Sequence, residues 1–544
     1  MSADTARPRI EIYDTTLRDG SQGEGISFSV EDKIRIARRL DEFGMDFIEG
    51  GWPGSNPKDE AFFELMQTVP LHNARLAAFG STRRADIRAE DDTQLLKLLA
   101  AKVPVITIFG KSWEEHITYA LRTTPEENLR MIADSVTFLN RNVESVIYDA
   151  EHFFDGYKAN AQYALACLDA AQEAGAVRLV LCDTNGGTLP HEIAAIVRHV
   201  RETFPEARIG IHSHNDAECG VANALAAIRE GATHVQGTVN GYGERCGNCS
   251  LLPVVASLRL KLGFDCLLPG SLEHLAGLSQ FVDEIANLTP DTRRPFVGRS
   301  AFAHKGGVHA DAVLKGASYE HIDPELVGNS RRLLVSELAG SSSISGKAAE
   351  YGIDLSRKSP EARSLLQAVA EREHAGYSYE GAEGSFELLL QKSLGKFAEP
   401  FTLKGFRCIV EKRGEDRDPI TEATVKLEVG GTERLTVFEG DGPVHALDGA
   451  LRKALLEFFP ELALIRLTDF KVRVVNTREG TAAKVRVIID STNGAQEWST
   501  VGVSENMIEA SWHALIDSIV YGLLRSETRM SSAIPISEQL LKAI

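Results

Sequence analysis

The first half of the chain repeats one pattern of apolar and polar positions. A short run rich in β-branched and apolar residues leads into a loop rich in Gly, Asp or Thr, and a longer amphipathic stretch follows. This alternation predicts strands that alternate with helices. The runs predicted as strands are Ile10–Asp14, Phe47–Glu49, Arg75–Phe79, Val105–Phe109, Ser145–Asp149, Arg178–Asp183, Arg208–His212 and His234–Gly237.

The stretches between these runs have helical periodicity. Ser29–Phe43 carries Ile34, Ala37 and Leu40 on one face, and Glu126–Asn140 shows a similar pattern. An open doubly wound sheet has the same alternation, so periodicity alone leaves that alternative in place. Eight strand–helix units in about 250 residues favour a closed (β/α)8 barrel, the TIM barrel.

The second half is predicted to contain two further parts. Leu272–Leu288 is predicted as a helix that leads into a segment rich in Gly, Ser and His, and from about Pro400 the sequence becomes rich in strands. The predicted fold class is therefore an α/β barrel, a helical connecting subdomain and a duplicated α+β C-terminal domain. The predicted boundaries are 1–270 for the barrel, 271–395 for the subdomain, 396–530 for the duplicated domain and 531–544 for a tail.

The duplication is inferred from a unit of two strands and a helix that occurs twice. The first unit is Thr424–Val429, Glu433–Phe438 and Ala446–Phe458, and the second is Ala483–Asp490, Glu497–Val501 and Ile508–Leu524. Each predicted helix follows a segment of turn and capping residues, Gly440–Pro443 in the first unit and Ser504–Asn506 in the second. A pair of such turns suits either a purely structural role or a small-ligand site.

Composition limits the partners. The 59 Lys and Arg against 77 Asp and Glu give a net charge of −18, which disfavours nucleic acid and anionic membrane surfaces as partners. The seven cysteines lie at irregular positions, which favours reduced thiols and a cytoplasmic location. No apolar stretch approaches the roughly 18 residues of a membrane span.

Polar residues cluster where three of the predicted strands end. Asp14–Gly20 follows the first strand and places Arg18 beside Asp19, His212–Asp216 ends the seventh, and Asn240–Asn248 follows the eighth. In a closed barrel these three strands are neighbours, and barrel active sites lie at the carboxyl ends of the strands. These groups are therefore expected to converge.

The histidines in the second cluster suggest a metal site. His212 and His214 are two residues apart, so an extended segment points both side chains to the same face. With a carboxylate and an amide oxygen, they would bind a divalent ion such as Mg, Mn or Zn. Alone, each cluster is more often an ordinary turn or ion pair, but their coincidence at adjacent strand ends favours the metal site. Cys246–Cys249 forms a CxxC, yet it lacks the second pair that a structural zinc site needs.

These motifs resemble the signatures of the metal-dependent Claisen-condensing barrel family. This family contains the isopropylmalate, homocitrate and citramalate synthases, and hydroxymethylglutaryl-CoA lyase is a relative. The resemblance rests on Asp14–Gly20, His212–Asp216 and Gly241–Asn248. It covers essentially the whole chain, because Phe302–Lys315 resembles the family's connecting subdomain and the duplicated module resembles its amino-acid-sensing regulatory domain.

The resemblance implies a role for ten residues. It implies metal ligation by Asp19, His212, His214 and Asn248, catalysis by Arg18, Glu151 and His309, and substrate contacts by Thr184, Asp311 and Tyr319. Arg18 would stabilise a developing alkoxide, and either Glu151 or His309 would remove a methyl proton from acetyl-CoA. The structural alternatives are an ion pair with Arg18 for Glu151 and a packed side chain for His309.

Within the family, Ile108–Trp113 and Ile147–Tyr157 are most similar to the citramalate synthases. That branch implies pyruvate and acetyl-CoA as substrates, a homodimer, and inhibition by isoleucine in isoleucine biosynthesis. Asp149 departs from its pattern, in which a bulkier residue is expected, and Phe79 and Phe109 would either close the pocket or pack in the core. The alternatives are a 2-isopropylmalate synthase acting on 2-oxoisovalerate, a metal-dependent lyase or aldolase, and a non-catalytic amino-acid sensor. The duplicated module disfavours the lyase, and the filled ligand positions disfavour the sensor.

Overall fold

The structure is a computed structural model that forms two compact units. It describes residues 9–305, 309, 312, 319–334, 341–356, 359–412, 414, 418–475 and 483–532. The first unit consists of Met1–Phe302 and Glu320–Arg331, and the second consists of Ala303–Tyr319 and Arg332–Ile544.

The first unit is a closed parallel barrel. Its strands follow chain order, and β1 pairs with both β2 and β8, so the open-sheet alternative is wrong and the predicted (β/α)8 barrel is confirmed. The strands are β1 Glu11–Asp14, β2 Phe47–Gly51, β3 Arg75–Ser81, β4 Val105–Lys111, β5 Ser145–Glu151, β6 Arg178–Asp183, β7 Ile209–Ser213 and β8 His234–Gly237. Several of them extend two residues beyond the predicted carboxyl ends, toward the rim.

Helices cover the outside of this barrel. They are α1 Val30–Phe43, α2 Pro57–Met66, α3 Thr93–Ala100, α4 Glu114–His116, α5 Pro125–Asn140, α6 Phe153–Ala159, α7 Ala161–Glu173, α8 Pro190–Thr203, α9 Gly220–Arg229, α10 Leu251–Ser257 and α11 Leu275–Ile285. The first helix shows how local sequence sets these bounds. Ser29 and Asp32 form a reciprocal capping box at its start, and Gly44 ends it with a φ of 91°.

Two buried layers hold the barrel together. Inside it, side chains from six strands form one small cluster, which consists of Tyr13, Phe47, Ala77, Val105, Ile147, Val180 and Cys182. Outside it, the strands and helices share a larger apolar core that includes Ile12, Leu40 and Leu168. Because successive side chains of a strand point to opposite faces, both layers come from the same short runs.

The described part of the second unit contains a short parallel pair of strands, three helices that follow it, and two small antiparallel sheets that each lead into a further helix. The pair is β9 Ala303–His304 with β10 Arg332–Leu333, and the helices are α12 Ser341–Glu350, α13 Pro360–His374 and α14 Glu383–Ser393. One sheet contains β11 Thr402–Glu411, β12 Ile420–Val429 and β13 Thr432–Gly440, followed by α15 Pro443–Leu455; the other contains β14 Arg466–Val474, β15 Val485–Thr492 and β16 Glu497–Ser504, followed by α16 Met507–Ser532.

The duplication is confirmed, but each repeat has one strand more than predicted. The repeats are βββα units, and the sequence pattern missed β11 and β14. Most residues of these two edge strands are exposed, so the alternation of Phe470, Val472 and Val474 with charged residues in β14 does not mark a buried face. The predicted tail, 531–544, begins within α16 and from 533 lies outside the described residues. Among the described helices, none has the length and apolar character needed to cross a membrane.

Candidate active site

The carboxyl ends of the barrel strands surround a cleft of about 230 Å³. Six of the ten residues singled out in the sequence line it, which supports the expectation that the strand-end motifs converge. The lining residues are Arg18, Asp19, Gln22, Trp52, Phe79, Phe109, Asp149, Glu151, Cys182, Thr184, His212, His214, Glu244 and Arg245.

Three of these residues form a cluster with the geometry of a metal site. Asp19, His212 and His214 are buried and each offers one donor atom, and these atoms lie within 4.8 Å of one another. The Nε2 atom of His212 is 3.3 Å from Oδ2 of Asp19 and 3.4 Å from Nε2 of His214. Two imidazoles and one carboxylate are a donor set that suits a divalent ion.

Asn248 completes this donor set. An isolated β-bridge pairs it with His214, and its Oδ1 atom is buried without a hydrogen-bond partner among the described residues. Leaving a buried acceptor unpaired costs about 1–3 kcal/mol. This oxygen therefore fits the role of a further ligand, and the four residues together fit a divalent ion.

The glycine-rich loop after β8 brings Asn248 to the cluster. Gly243 has a φ of 149°, and a Cβ atom at this position would lie 2.1 Å from Nδ2 of Asn248, so only glycine fits. In the same loop Cys246 is exposed and Cys249 is buried, and both thiols are free. The CxxC motif thus belongs to a loop that presents an amide, and it forms no disulfide.

The charges around the cluster favour an ionised carboxylate beside a neutral imidazole. Burial alone would raise the pKa of Asp19, but Arg18 and His212 hold it well below its usual range. Burial and the adjacent His212 lower the pKa of His214 to about 4. For His212, burial acts to lower the pKa, yet the Asp19 carboxylate outweighs this effect and the net shift is upward. Metal ligands must be deprotonated, and Asp19 and His214 meet this condition at neutral pH.

Arg18 is held rigidly at the edge of the cluster. Its Nε donates to Oε1 of Glu49 at 2.6 Å, its Nη1 lies 3.3 Å from Oδ2 of Asp19, and its guanidinium lies 3.6 Å from the ring centre of Phe79. The second oxygen of Glu49 accepts a hydrogen bond of 2.6 Å from the Tyr13 hydroxyl. The guanidinium therefore has one preferred orientation at the mouth of the barrel.

Glu151 forms an ion pair with a different residue from the one that the sequence analysis considered. It forms an ion pair with Lys111, which lies directly opposite it in the register of β4 and β5. The proposed Glu151–Arg18 ion pair is therefore wrong, because Glu49 and Asp19 take the guanidinium. Glu151 therefore lies beside the cleft, and its charged partner is the Lys111 ammonium.

Thr184 lies at the end of β6 and lines the same cleft. Its Oγ1 accepts a hydrogen bond of 2.9 Å from the backbone N–H of His152. Its carbonyl oxygen accepts one of 2.8 Å from Arg245, whose guanidinium also pairs with Asp216. These contacts hold Thr184 in place at the rim.

An aromatic wall closes one side of the cleft. Phe79 and Phe109 stack with their ring centres 5.5 Å apart, and Trp52 meets both rings edge-on at 5.8 and 5.7 Å. Both phenylalanines line the cleft, as one of the two sequence interpretations expected. Trp52 was not predicted, since it lies beyond the predicted end of β2.

The sequence interpretation also missed Glu49 and Gln236. Glu49 is fully buried and holds Arg18, and Gln236 accepts a hydrogen bond from Nδ1 of His212 at 2.8 Å. Both are polar residues near the carboxyl end of a predicted strand, which is the signal that could have singled them out.

Three predicted residues belong to the second unit. The rings of His309 and Tyr319 stack with their centres 4.3 Å apart, and both side chains are exposed. The alternative of a packed side chain at 309 therefore stays open, since the His309 ring packs on Tyr319 at an exposed position. Asp311 lies outside the described residues, and the roles of all three at the barrel stay a prediction.

Three family models match successive parts of the chain. The barrel, 9–282, matches the family model described as HMGL-like, 296–373 matches a homocitrate synthase post-HMGL domain-like model, and 380–523 matches a LeuA allosteric (dimerisation) domain. A solved HMG-CoA lyase of Bacillus subtilis is 20% identical, with a TM-score of 0.46 over 53% of this chain and 97% of that one.

The match to curated proteins covers nearly the whole chain. The (R)-citramalate synthase of Aquifex aeolicus is 55% identical over 95% of this chain and 98% of its own length. Four further (R)-citramalate synthases are 46–53% identical. The 2-isopropylmalate synthase of Methylorubrum populi is more distant, at 31% identity over 95% of this chain and 96% of its own.

The closed barrel and its rim cluster thus define an enzyme of the HMGL-like class with a cluster of residues that could hold a metal ion. The extent and identity of the matches narrow the class further. The chain belongs to the (R)-citramalate synthase family, a family of metal-dependent transferases.

Proposed function

We propose that this chain condenses acetyl-CoA with pyruvate and water to give citramalate and free CoA, converting the acyl group to an alkyl group on transfer. The observation that carries the proposal is the convergence of Asp19, His212 and His214 with Arg18 in one rim cleft. The family membership supports the substrate pair, and we propose a role in isoleucine biosynthesis.

In this proposal Asp19, His212, His214 and Asn248 hold a divalent ion, which we expect to be Mg, Mn or Zn. When bound, the ion supplies a Lewis acid for the keto group of the 2-oxo acid. Arg18 faces the cleft with its orientation held by Glu49, so its positive charge is preorganised for negative charge that develops on the keto oxygen. Thr184 contacts the substrate carboxylate.

The carbon–carbon bond forms after a proton leaves the methyl group of acetyl-CoA. We propose Glu151 or His309 as the base that takes this proton, with Asp311 and Tyr319 assisting. The carbanion attacks the keto carbon of pyruvate, the keto oxygen gains a proton, and water cleaves the thioester to release CoA. Glu151 lies beside the cleft, where it pairs with the Lys111 ammonium.

A panel of 2-oxo acids tests this function directly. We expect CoA release from acetyl-CoA to be much faster with pyruvate than with 2-oxoisovalerate, because the aromatic wall leaves little room for two extra methyl groups. Discrimination in apolar pockets amounts to about 1–3 kcal/mol per methylene-sized group. The measurement is kcat/KM from thiol release, and a preference for 2-oxoisovalerate would contradict the citramalate assignment.

The same assay tests the wall itself. Phe109→Ala is expected to raise the relative kcat/KM for 2-oxoisovalerate by about tenfold or more, since it removes a ring from the wall without touching Arg18. Phe138→Ala, a half-buried phenylalanine on α5 outside the cleft, is the matched control and should leave the ratio unchanged. An unchanged ratio in Phe109→Ala would place the specificity elsewhere.

We further propose that the chain forms a homodimer and that isoleucine inhibits it through the duplicated module. The match of 380–523 to the LeuA allosteric (dimerisation) domain model supports both points. The turns before α15 and α16 are related by the duplication, and in the second Asn506 accepts hydrogen bonds from the backbone N–H groups of Ile508 and Glu509.

Inhibition should therefore depend on these turns. We expect isoleucine to inhibit CoA release, and Asp441→Ala and Asn506→Ala to raise the isoleucine concentration needed for half-inhibition by several-fold with the uninhibited rate unchanged. Asn493→Ala, in the hairpin turn between β15 and β16, is the control. Equal inhibition of all variants would show that isoleucine acts through another part of the chain.

A further inference from the structure

A chain of three buried side chains crosses the mouth of the barrel. Nε2 of Gln236 donates to Oδ1 of Asp149 at 3.0 Å, and Oε1 of Gln236 lies 2.8 Å from Nδ1 of His212. The exposed fractions are 3% for Asp149, 1% for Gln236 and 5% for His212. Burial makes each of these polar contacts costly to lose.

The three residues come from three strands that are not all neighbours. His212 and Gln236 are directly paired in the register of β7 and β8. Asp149 lies on β5, and β6 and β7 separate it from β8 in the closed sheet. Ladder hydrogen bonds therefore do not bring Asp149 to Gln236, and the contact arises across the barrel interior.

The orientation of the Gln236 amide determines which ring nitrogen of His212 carries the hydrogen. A primary amide has one donating and one accepting end, and the donating end of Gln236 bonds to Oδ1 of Asp149. Because Asp149 takes the donating end of Gln236, the accepting end faces Nδ1 of His212. Nδ1 must then carry the hydrogen, which leaves the lone pair on Nε2. Nε2 is the atom that faces Asp19 and His214.

We propose that Asp149 and Gln236 are positioning residues that hold His212 in the Nδ1–H form, with Nε2 directed at the divalent ion. This inference rests on the metal site in the proposed function, but not on the identity of the 2-oxo acid. Neither residue needs to contact the substrate. Asp149, where the sequence analysis expected a bulkier residue, thereby has a specific role through Gln236.

The effect is measured as Mn²⁺ affinity of the full-length chain, from the free-ion EPR signal. Gln236→Met leaves Asp149 in place but removes the acceptor for Nδ1 of His212. Asp149→Asn lets the Gln236 amide adopt either orientation, because an asparagine can both donate to it and accept from it. Each is expected to weaken Mn²⁺ binding about 10–100-fold, the usual effect of losing a partner that orients a metal-bound histidine.

The exchanged pair Asp149→Asn with Gln236→Glu supplies the rescue. Its Glu carboxylate can accept from both the Asn amide and Nδ1 of His212, and the total charge equals that of the wild type. We expect Mn²⁺ affinity to return to within a few-fold of the wild-type value, and the visible spectrum of bound Co²⁺ to return with it. Packing alone would not produce this pattern in a double-mutant cycle.

Matched variants separate the possible results. Asp183→Asn changes another buried rim carboxylate, bonded to Thr188, and should leave Mn²⁺ affinity unchanged. Wild-type affinity in Gln236→Met would overturn the inference, as would an exchanged pair that folds but binds no better than Asp149→Asn. If the exchanged pair fails to fold, Gln236→Met alone decides.

The inference and the proposed function fail in different ways. If His214→Ala abolishes Mn²⁺ binding while Gln236→Met does not weaken it, the metal site stands and the positioning role is overturned. If pyruvate gives no CoA release, the proposed reaction is wrong and the Mn²⁺ titrations still decide the positioning role. If His214→Ala binds Mn²⁺ as the wild type does, both the metal site and the positioning role are overturned.

Discussion

Arg18→Lys is expected to lower kcat for CoA release by about 10²–10³-fold, the usual cost of losing one preorganised hydrogen-bond donor at a developing oxyanion. Lysine retains the charge but lacks the planar fork that pairs with Glu49 and lies on Phe79. The ammonium would therefore sample several positions, and the field at the keto oxygen would fall. The measurement is kcat at saturating pyruvate and acetyl-CoA, with KM values recorded separately.

Arg178→Lys is the matched control for this prediction. Arg178 has similar surroundings at the opposite, amino end of the strands, with an ion pair to Glu11 and the ring of Phe47 at 4.9 Å. Its substitution should lower thermal stability and leave kcat unchanged. An Arg18→Lys variant that keeps more than a tenth of the wild-type kcat would contradict the role given to the guanidinium.

Removal of divalent ions is expected to abolish CoA release, and Asp19→Asn is expected to lower it by about 10³-fold at fixed ion concentration. A Lewis acid contributes several kcal/mol to such a step, and each 1.4 kcal/mol corresponds to a factor of ten. Asp19 is the one carboxylate in the buried cluster among the described residues, so its loss removes the charge that attracts the ion.

The measurements are activity after chelation and re-addition of Mg²⁺, Mn²⁺ or Zn²⁺, and the Mn²⁺ affinity of Asp19→Asn. Asp216→Asn is the control, because Asp216 is a rim carboxylate paired with Arg245 outside the cluster. It should bind Mn²⁺ as the wild type does. Full turnover of the ion-free chain would contradict the proposed mechanism.

Much of the barrel and part of its site could be predicted because the signals are local. Val105–Phe109 is apolar except for Thr107, as expected for a strand buried on both faces, and it lies wholly within β4. Once the strands are counted, the rule that barrel sites lie at carboxyl ends brings together Asp19, His212 and His214, although nearly 200 residues separate them in the chain.

The parts that could not be predicted depend on side chains meeting across the barrel. Nothing in the sequence around Arg18 indicates that Glu49 binds it while Glu151 binds Lys111. Those choices follow from strand register and from which side chains face the interior. The edge strands β11 and β14 were missed although their apolar residues alternate in part, and in the structure both strands are largely exposed.

By itself, the sequence determined the eight-fold alternation, the duplication near the C-terminus and the residue types available for holding an ion, since each is encoded in spacings of a few residues. The tertiary structure alone decided barrel closure, the partners of Arg18 and Glu151, and the contact of Asp149 with Gln236. Closure brings distant strands to within hydrogen-bonding distance, and most buried polar groups of a folded protein find a partner. The final pairing is therefore a property of the folded barrel.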